Sequence, residues 1–199
     1  MKLIIASNNA HKVTEIKAIL SPFFNEIMTL KEAGINIDVE EDGTTFEENA
    51  VKKAVEILAA APFADAAISD DSGLMVDALN GAPGVYSARF AGEGHDDEAN
   101  NKKLLEMLDD VQYENRTARF VSAVALARKD KPILTAHGSV EGIILRESRG
   151  ENGFGYDPLF YYEPLNKTFA ELSADEKNSL SHRKNALSAL YELLSKEGE

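Results

Sequence analysis

The sequence contains no cysteine, which excludes disulfides, thiolate metal ligands and a cysteine nucleophile. It also lacks any apolar run close to the ~20 residues that a membrane-spanning helix needs. Met1 and Lys2 lead directly into an apolar stretch, without the pattern of a signal peptide. We therefore expect a cytoplasmic protein with no membrane association.

Positive charge is scarce as well. The chain has 21 lysine and arginine residues against 34 aspartate and glutamate residues, a net charge of −13. Binding to nucleic-acid polymers depends on basic side chains that neutralise phosphates, so this balance opposes it. A small phosphorylated ligand remains compatible, because a few local cations and a metal can offset its charge.

Length and composition indicate one globular domain. The chain has 199 residues, of which 44% are hydrophobic and 28% are charged, and it can bury a substantial core. We find no internal repeat, low-complexity tract or linker. The sequence therefore predicts a single domain over residues 1–199.

The most unusual stretch is Ile68–Gly92, where an apolar run leads into Asp70 and Asp71, followed by Ser72 and Gly73. This pattern predicts a carboxylate pair at a strand end, where metals and phosphates commonly bind. A solvated turn is the alternative, because Asp, Ser and Gly are frequent turn residues. Neighbouring residues of an extended chain point to opposite sides, so the two aspartates are expected to have different roles.

The N-terminal segment predicts a phosphate-binding turn. Lys2–Ala6 is an apolar run typical of a buried strand, and apolar residues recur at helical spacing from Val13. Asn8 or Asn9 is placed to cap that helix. The free N–H groups at the N-terminus of this helix and the positive end of its dipole attract a phosphate, and Lys12 adds a full positive charge. The turn is not a Walker loop, because it lacks the glycines and the GK[ST] ending. A capped turn without a ligand is the alternative.

A second helix is predicted by the capping-box pattern of Thr45 and Glu48. The preceding loop carries Glu40 and Glu41, where a carboxylate can reach a hard cation. A solvated charge run is the alternative interpretation of these glutamates. Short apolar runs predict two further strands, over Glu26–Leu30 and Ile35–Val39.

The second half of the chain predicts a mixed sheet. Asp96–Leu108 has the pattern of an amphipathic helix. Two long β-type runs then lie between Arg116 and Leu145, separated by a hairpin turn at Lys129–Pro132. Long antiparallel strands in a chain that otherwise alternates strands and helices favour a mixed sheet over a wholly parallel one.

Two C-terminal features suggest recognition of a nucleobase. Gly150–Pro158 places glycines on both sides of Phe154, whose ring offers a face for stacking, although a packing role is the alternative. On one unbroken helix Lys177 and His182 would diverge by about 140°. A break at Ser181 would allow Lys177, His182 and Arg183 to converge on one ligand.

Together these stretches resemble the inosine triphosphate pyrophosphatase family, the enzymes that hydrolyse non-standard purine nucleoside triphosphates. The matching residues lie in the family's order along essentially the whole chain: Ser7–Lys12, Phe46–Ala54, Ser69–Gly92, Gly153–Phe160, and Glu176–Arg183 with Ala186 and Leu187. The resemblance implies an α/β fold, with a long mixed sheet flanked by helices and two lobes around a central substrate cleft. It also implies a homodimer.

The activity implied by the resemblance is Mg²⁺-dependent hydrolysis of ITP, dITP and XTP to the monophosphate and pyrophosphate. This reaction would remove deaminated purines from the nucleotide pool. Asp71 would act as general base and metal ligand, and Lys53 as a catalytic cation beside the triphosphate. Glu40 or Glu41 would complete the metal site, with Asp70 as a supporting carboxylate.

The resemblance further implies a set of substrate-binding residues. The triphosphate would be held, together with Lys53, by Ser7, Asn8, Asn9 and Lys12. The base would be selected by stacking on Phe154 and by hydrogen bonds with Gly155, Tyr156, Asp157, Lys177, His182 and Arg183, and the further substrate contacts would be Ala10, His11 and Ser72. Two other functions remain open. One is a septum-formation-type pyrophosphatase acting on pyrimidine or modified nucleotides. The other is a nucleotide sensor without turnover.

Overall fold

The computed structural model describes residues 1–7 and 9–197, with the backbone alone at positions 10 and 11. Its strands are β1 (Lys2–Ile5), β2 (Glu26–Thr29), β3 (Ala66–Val76), β4 (Thr117–Arg128), β5 (Lys131–Ile144), β6 (Phe160–Tyr162) and β7 (Lys167–Thr168). Its helices are α1 (Ala10–Leu20), α2 (Phe46–Ala60), α3 (Asp97–Met107), α4 (Ala174–Leu180) and α5 (His182–Glu197). No helix within these residues is both long and apolar enough to cross a membrane.

The strands of this described part form one seven-stranded sheet, in the order β2-β1-β3-β4-β5-β6-β7. β1 pairs in parallel with β2 and with β3, whereas β6 pairs antiparallel with β5 and with β7. β4 and β5 are neighbours joined by two residues, which is the connection of an antiparallel hairpin. The predicted mixed α/β fold is confirmed.

Local sequence signals account for the helix ends. The Thr45 hydroxyl accepts a hydrogen bond from the Glu48 N–H, and the Glu48 carboxylate accepts one from the Thr45 N–H, so the predicted capping box opens α2. Asn9 Oδ1 accepts from the Lys12 N–H at 3.3 Å at the start of α1. Asn8 lies outside the described residues. Ser181 is extended, with ψ 146°, and separates α4 from α5 as predicted.

Two predictions about strands were wrong. Residues 35–39 form no strand; Val39 is buried, but Ile37 is 42% exposed and the segment pairs with no described strand. Asp70 and Asp71 do not lie at a strand end or in a solvated turn, because β3 continues through them to Val76. Gly73 lies inside that strand, where a Cβ would collide with Ser87 Oγ, so the glycine serves close packing instead of a turn.

The chain divides into two compact units, and the boundaries fall within β3, β4 and β5. Unit 1 comprises Met1–Asp71, Ser122–Gly138 and the chain from Arg183 onwards; unit 2 comprises Ser72–Val121 and Ser139–His182. Unit 1 has one core that contains Ile5 and Leu187 and a second that contains Ile4 and Ile57. The core of unit 2 contains Leu74, Phe160 and Phe169. A single domain with a cleft between two lobes stays a prediction.

Candidate active site

Asp70 is a buried carboxylate of unit 1 that forms two ion pairs. It is 4% exposed, and its Oδ2 lies 2.8 Å from Lys12 Nζ and 3.0 Å from Arg183 Nε. Burial by itself raises the pKa of Asp70, but the Lys12 ammonium and the Arg183 guanidinium outweigh it and hold that pKa well below its usual range. Asp70 therefore anchors one cation from the first turn of α1 and one from the first turn of α5.

A second carboxylate completes this charge network. Glu15 Oε2 on α1 lies 3.6 Å from Arg183 Nη1, and the oxygen is buried with no hydrogen-bond partner among the described residues. Lys12, Glu15, Asp70 and Arg183, which we call the acid–cation cluster, thus contain two positive and two negative groups. The net charge of the cluster is close to zero, which limits the electrostatic cost of burying it.

Asp71 faces a different set of partners. Its Oδ2 accepts a hydrogen bond from Asn49 Nδ2 at 2.9 Å, and Asn49 on α2 is only 1% exposed. Asn49 Oδ1 in turn accepts from the Gly43 N–H at 2.7 Å. A single buried amide side chain therefore ties Asp71 to the loop that carries Glu40 and Glu41. The sequence analysis missed Asn49, although a polar residue on the otherwise apolar face of α2 was the available signal.

Glu41 and Glu40 differ in their surroundings. Glu41 is partly buried and its carboxylate contacts the Lys53 ammonium, whereas Glu40 is exposed. Lys52 pairs instead with Asp42, at 2.6 Å. Lys52 and Lys53 thus have different partners, and Lys53 contacts Glu41, one of the two glutamates predicted as metal ligands.

The donors near Asp71 suit a hard divalent cation. Among the described residues no group of three or more acidic, histidine or cysteine side chains is placed to hold a metal. Mg²⁺ commonly takes only one or two protein carboxylates and keeps water or phosphate oxygens as its other ligands. Asp71 and Glu41 would supply that number of carboxylates, and Asn49 joins Asp71 to Gly43, two residues after Glu41.

In unit 2, the loop of residues 150–158 presents the Phe154 ring, which is 64% exposed. Lys177 Nζ lies 4.5 Å from the centre of that ring and also contacts the Asp157 carboxylate. Asp157 accepts from the Phe154 N–H at 2.9 Å, so one buried acid fixes both the loop and the lysine. Burial raises the pKa of Asp157, against the opposing influence of Lys177 and the Phe154 N–H. We call Phe154, Asp157 and Lys177 the aromatic cluster.

Several residues of unit 2 that are predicted to contact the substrate already form hydrogen bonds within the protein. The Gly155 N–H donates to Asp97 and its carbonyl accepts from Asn101. The Tyr156 hydroxyl donates to the Ser87 carbonyl at 2.8 Å, and burial raises the pKa of this nearly inaccessible tyrosine.

The remaining predicted residues are distributed over both units. His182 stacks on Phe120, with ring centres 5.2 Å apart, and Ser72 is partly buried in β3. The Ser7 hydroxyl accepts from the Asn9 N–H at 3.1 Å, at the turn before α1. The side chains of Ala10 and His11 lie outside the described part of the structure. The role of each of these residues in substrate binding stays a prediction.

Fold and site together define an α/β protein in which a mixed sheet carries a buried carboxylate, Asp70, beside lysine and arginine side chains, a setting suited to a phosphorylated ligand. The chain belongs to the Ham1 family, whose model matches residues 3–193. Membership confirms the resemblance drawn from the five sequence segments.

Similarity to individual relatives extends over nearly the whole chain. A protein named dITP/XTP pyrophosphatase from Desulforamulus reducens is 54% identical over 98% of this chain and 96% of its own length. A protein of the same name from Clostridium perfringens is 52% identical over 97% of both chains. Among solved structures, the Ham1 protein of Staphylococcus aureus is 44% identical, with a TM-score of 0.91 over 99% of this chain and 100% of that one.

Proposed function

We propose that this protein hydrolyses the triphosphates of inosine, deoxyinosine and xanthosine to the monophosphate and pyrophosphate. The observation that carries the proposal is a buried link from Asp71 through Asn49 to the loop of Glu41, in a chain 54% identical to a protein named dITP/XTP pyrophosphatase. Magnesium dependence, a homodimeric state and a cytoplasmic location are part of the same proposal, and they rest on the family resemblance.

Hydrolysis between the α and β phosphates requires a general base that activates water. It also requires cationic groups that bind the phosphates and stabilise the departing pyrophosphate. In our proposal Asp71 takes the proton from the water that attacks the α phosphorus, and the bond to the β phosphate breaks as pyrophosphate leaves. Lys53 compensates the charge that develops on pyrophosphate. Asn49 keeps the Asp71 carboxylate oriented, because its N–H group bonds one of the two oxygens.

The N-terminus of α1 is the proposed triphosphate site. Its free N–H groups and positive dipole end favour phosphate oxygens, and the turn before it contributes Ser7 and Asn9. Lys12 provides a full charge that Asp70 holds in place. Glu41, which is less exposed than Glu40 and adjacent to Lys53, is the proposed partner of Asp71 in holding Mg²⁺. When bound, Mg²⁺ neutralises phosphate charge and lowers the pKa of water.

The aromatic cluster is the proposed base site. The exposed Phe154 ring offers a stacking face, and Lys177 supplies a hydrogen-bond donor beside it. Inosine and xanthosine carry an acceptor oxygen at purine position 6, whereas adenosine carries an amino donor there. Donors such as Lys177 and His182 would be left unpaired against adenine, and such a loss can discriminate by up to ~10⁴–10⁵.

The test is pyrophosphate release from ITP, XTP, ATP, GTP and TTP in the presence of Mg²⁺, for the native protein and Asp71→Asn. We expect rapid release from ITP and XTP alone, and a fall in kcat of about 10²–10⁴ in the variant, because general-base catalysis contributes that much. Asp130→Asn in the β4–β5 turn is the matched control and should keep native rates, because its left-handed φ of 56° also suits asparagine.

The other outcomes point to the competing functions. Turnover of TTP in preference to ITP would assign the protein to the septum-formation-type enzymes. Tight binding of ITP without pyrophosphate release would leave a nucleotide sensor. Native rates in Asp71→Asn would remove this residue from the mechanism while leaving the activity in place.

A further inference from the structure

We infer that Asp97 and Asn101 of α3 are positioning residues for base selection, acting through Gly155 on the exposed ring of Phe154. The inference rests on the proposed function and deepens it, because neither residue lies in the segments that carry the family resemblance. Asp97 and Asn101 are four positions apart on one helix, so their side chains lie on the same face of α3.

The contacts to Gly155 are made to both of its backbone groups. Asp97 Oδ2 accepts from the Gly155 N–H at 2.7 Å, and Asn101 Nδ2 donates to the Gly155 carbonyl at 2.8 Å. The partners are 58 and 54 residues away in the sequence, so neither bond is a local turn interaction. A residue held at both of its backbone polar groups has little freedom to rotate, so these two bonds fix the backbone from which the adjacent Phe154 side chain projects.

The Phe154 ring needs such support because burial does not provide it. The side chain is 64% exposed, so packing against a core does not determine its direction. Gly155 has a φ of +60° and open space around the position of a Cβ, which shows that glycine is used here for backbone conformation. The loop therefore holds an unusual conformation beside a ring that must stay available for stacking.

The helix that provides these contacts is itself well anchored. Leu104 of α3 is fully buried in the core of unit 2, and Asp96 caps the helix by accepting from the Ala99 N–H at 3.0 Å. Asn100 holds the segment before α3 through the Ala91 N–H and the Ala88 carbonyl. α3 is thus a rigid support from which two side chains reach the loop.

Asn101 also leaves a polar atom without compensation. Its Oδ1 is buried and has no hydrogen-bond partner among the described residues, which costs free energy in a folded protein. The Nδ2 group of the same amide donates to the Gly155 carbonyl, and this bond is the one through which we infer that Asn101 positions the loop.

Kinetics with ITP and ATP test the inference in the native background. For Asp97→Ala we expect KM for ITP to rise about tenfold with kcat changed less than about twofold, because an interaction used equally in ground and transition states is lost. The ratio of kcat/KM for ITP to that for ATP should fall by a similar factor. Asp97→Asn keeps an acceptor for the Gly155 N–H and should recover most of the native KM.

A fluorescence measurement provides a readout that does not depend on turnover. The chain has no tryptophan, so Phe154→Trp introduces a single reporter at the stacking position. We expect inosine monophosphate to quench it in the otherwise native chain more strongly than adenosine monophosphate does. Adding Asp97→Ala should make the fluorescence anisotropy of this tryptophan decay faster in the ligand-free protein. It should also abolish the difference in quenching between inosine monophosphate and adenosine monophosphate.

The matched control is Glu98→Gln, which removes a negative charge from the same first helical turn. The inference fails if Asp97→Ala and Asn101→Ala give the same KM and the same ITP/ATP ratio as this control. Asn101→Ala serves as the deciding variant if Asp97→Ala does not fold. A native protein that releases no pyrophosphate contradicts the proposed function, whereas retained turnover with a Phe154→Trp reporter that distinguishes the two nucleotides equally well with and without Asp97→Ala contradicts this inference alone.

Discussion

At the scale of single residues, Asn49 is the side chain that joins separate parts of the proposed catalytic centre. Its amide uses both ends, one donating to Asp71 and the other accepting from Gly43. A Cβ at Gly43 would lie 2.6 Å from Asn49 Oδ1, so the loop approaches this closely only with glycine at that position. Asp71, the proposed general base, and the loop of Glu40 and Glu41 therefore share one buried support.

We predict that Asn49→Ala lowers kcat for ITP by about 10- to 100-fold, because hydrogen bonds to charged groups contribute about 1.5–3 kcal/mol. Steady-state kinetics measure the loss. Asn49→Asp tests the two hydrogen bonds of this side chain separately, because aspartate still accepts from the Gly43 N–H but cannot donate to an ionised Asp71. If the bond to Asp71 is the important one, Asn49→Asp should be as slow as Asn49→Ala; near-native kcat in either variant contradicts the role.

At the scale of elements, α2 combines a strong local start signal with functional side chains. Thr45 and Glu48 cap its first turn, and Asn49 and Lys53 lie one turn apart on the same side of the helix. Glu48 accepts from the Thr44 hydroxyl and N–H, each at 2.7 Å, and from the Thr45 N–H. These bonds, led by that of the Thr44 hydroxyl, lower the pKa of Glu48.

The lowered pKa predicts a pH-dependent contribution to stability. Because the pKa is lower in the folded than in the unfolded chain, the contribution of Glu48 is fully present above the unfolded value of about 4.3 and is lost as the pH falls through the folded value. Glu48→Gln should therefore lower the free energy of unfolding at pH 7, and the difference from the native protein should shrink as the pH falls below the unfolded pKa of about 4.3. Denaturant titrations across this range measure it.

The matched control for the capping box is Glu56→Gln, which removes a charge from an exposed position further along the same helix. It should change stability little at any pH, because no capping bond is lost. A constant difference between Glu48→Gln and the native protein from pH 3 to pH 7 would contradict the assigned role.

At the scale of the whole molecule, strands β3, β4 and β5 pass through both compact units. Each unit has its own apolar core, but the same three strands supply residues to both. Loss of one core therefore removes support from strands that the other core also uses. This continuity predicts that the described chain unfolds as one cooperative body.

We predict that Leu187→Ala in unit 1 and Phe169→Ala in unit 2 each shift a single unfolding transition to lower temperature. Both side chains are fully buried, and such truncations cost about 2–5 kcal/mol. Calorimetry or thermal circular dichroism follows the transition. Leu193→Ala, at a position 37% exposed, is the control and should have a small effect. Two separate transitions, of which each variant shifts only one, would contradict the prediction.

The sequence by itself determined the features that depend on neighbouring residues. The capping box of α2, the break at Ser181, the β4–β5 turn and the buried first strand follow from hydrogen bonds and apolar burial over a few positions. The mixed sheet could be predicted because its long strands have a distinct local pattern. The Ham1 family could be recognised because its segments are short runs of characteristic residues.

The tertiary structure alone decided the contacts between distant residues. Asp70 meets Arg183 across 113 positions, Asn49 meets Asp71 across 22, and Gly155 meets Asp97 across 58. The continuation of β3 through Gly73 and the absence of a strand at residues 35–39 have the same origin. In each case the partner is brought close by the packing of whole elements, so no local pattern in the chain encodes the pair.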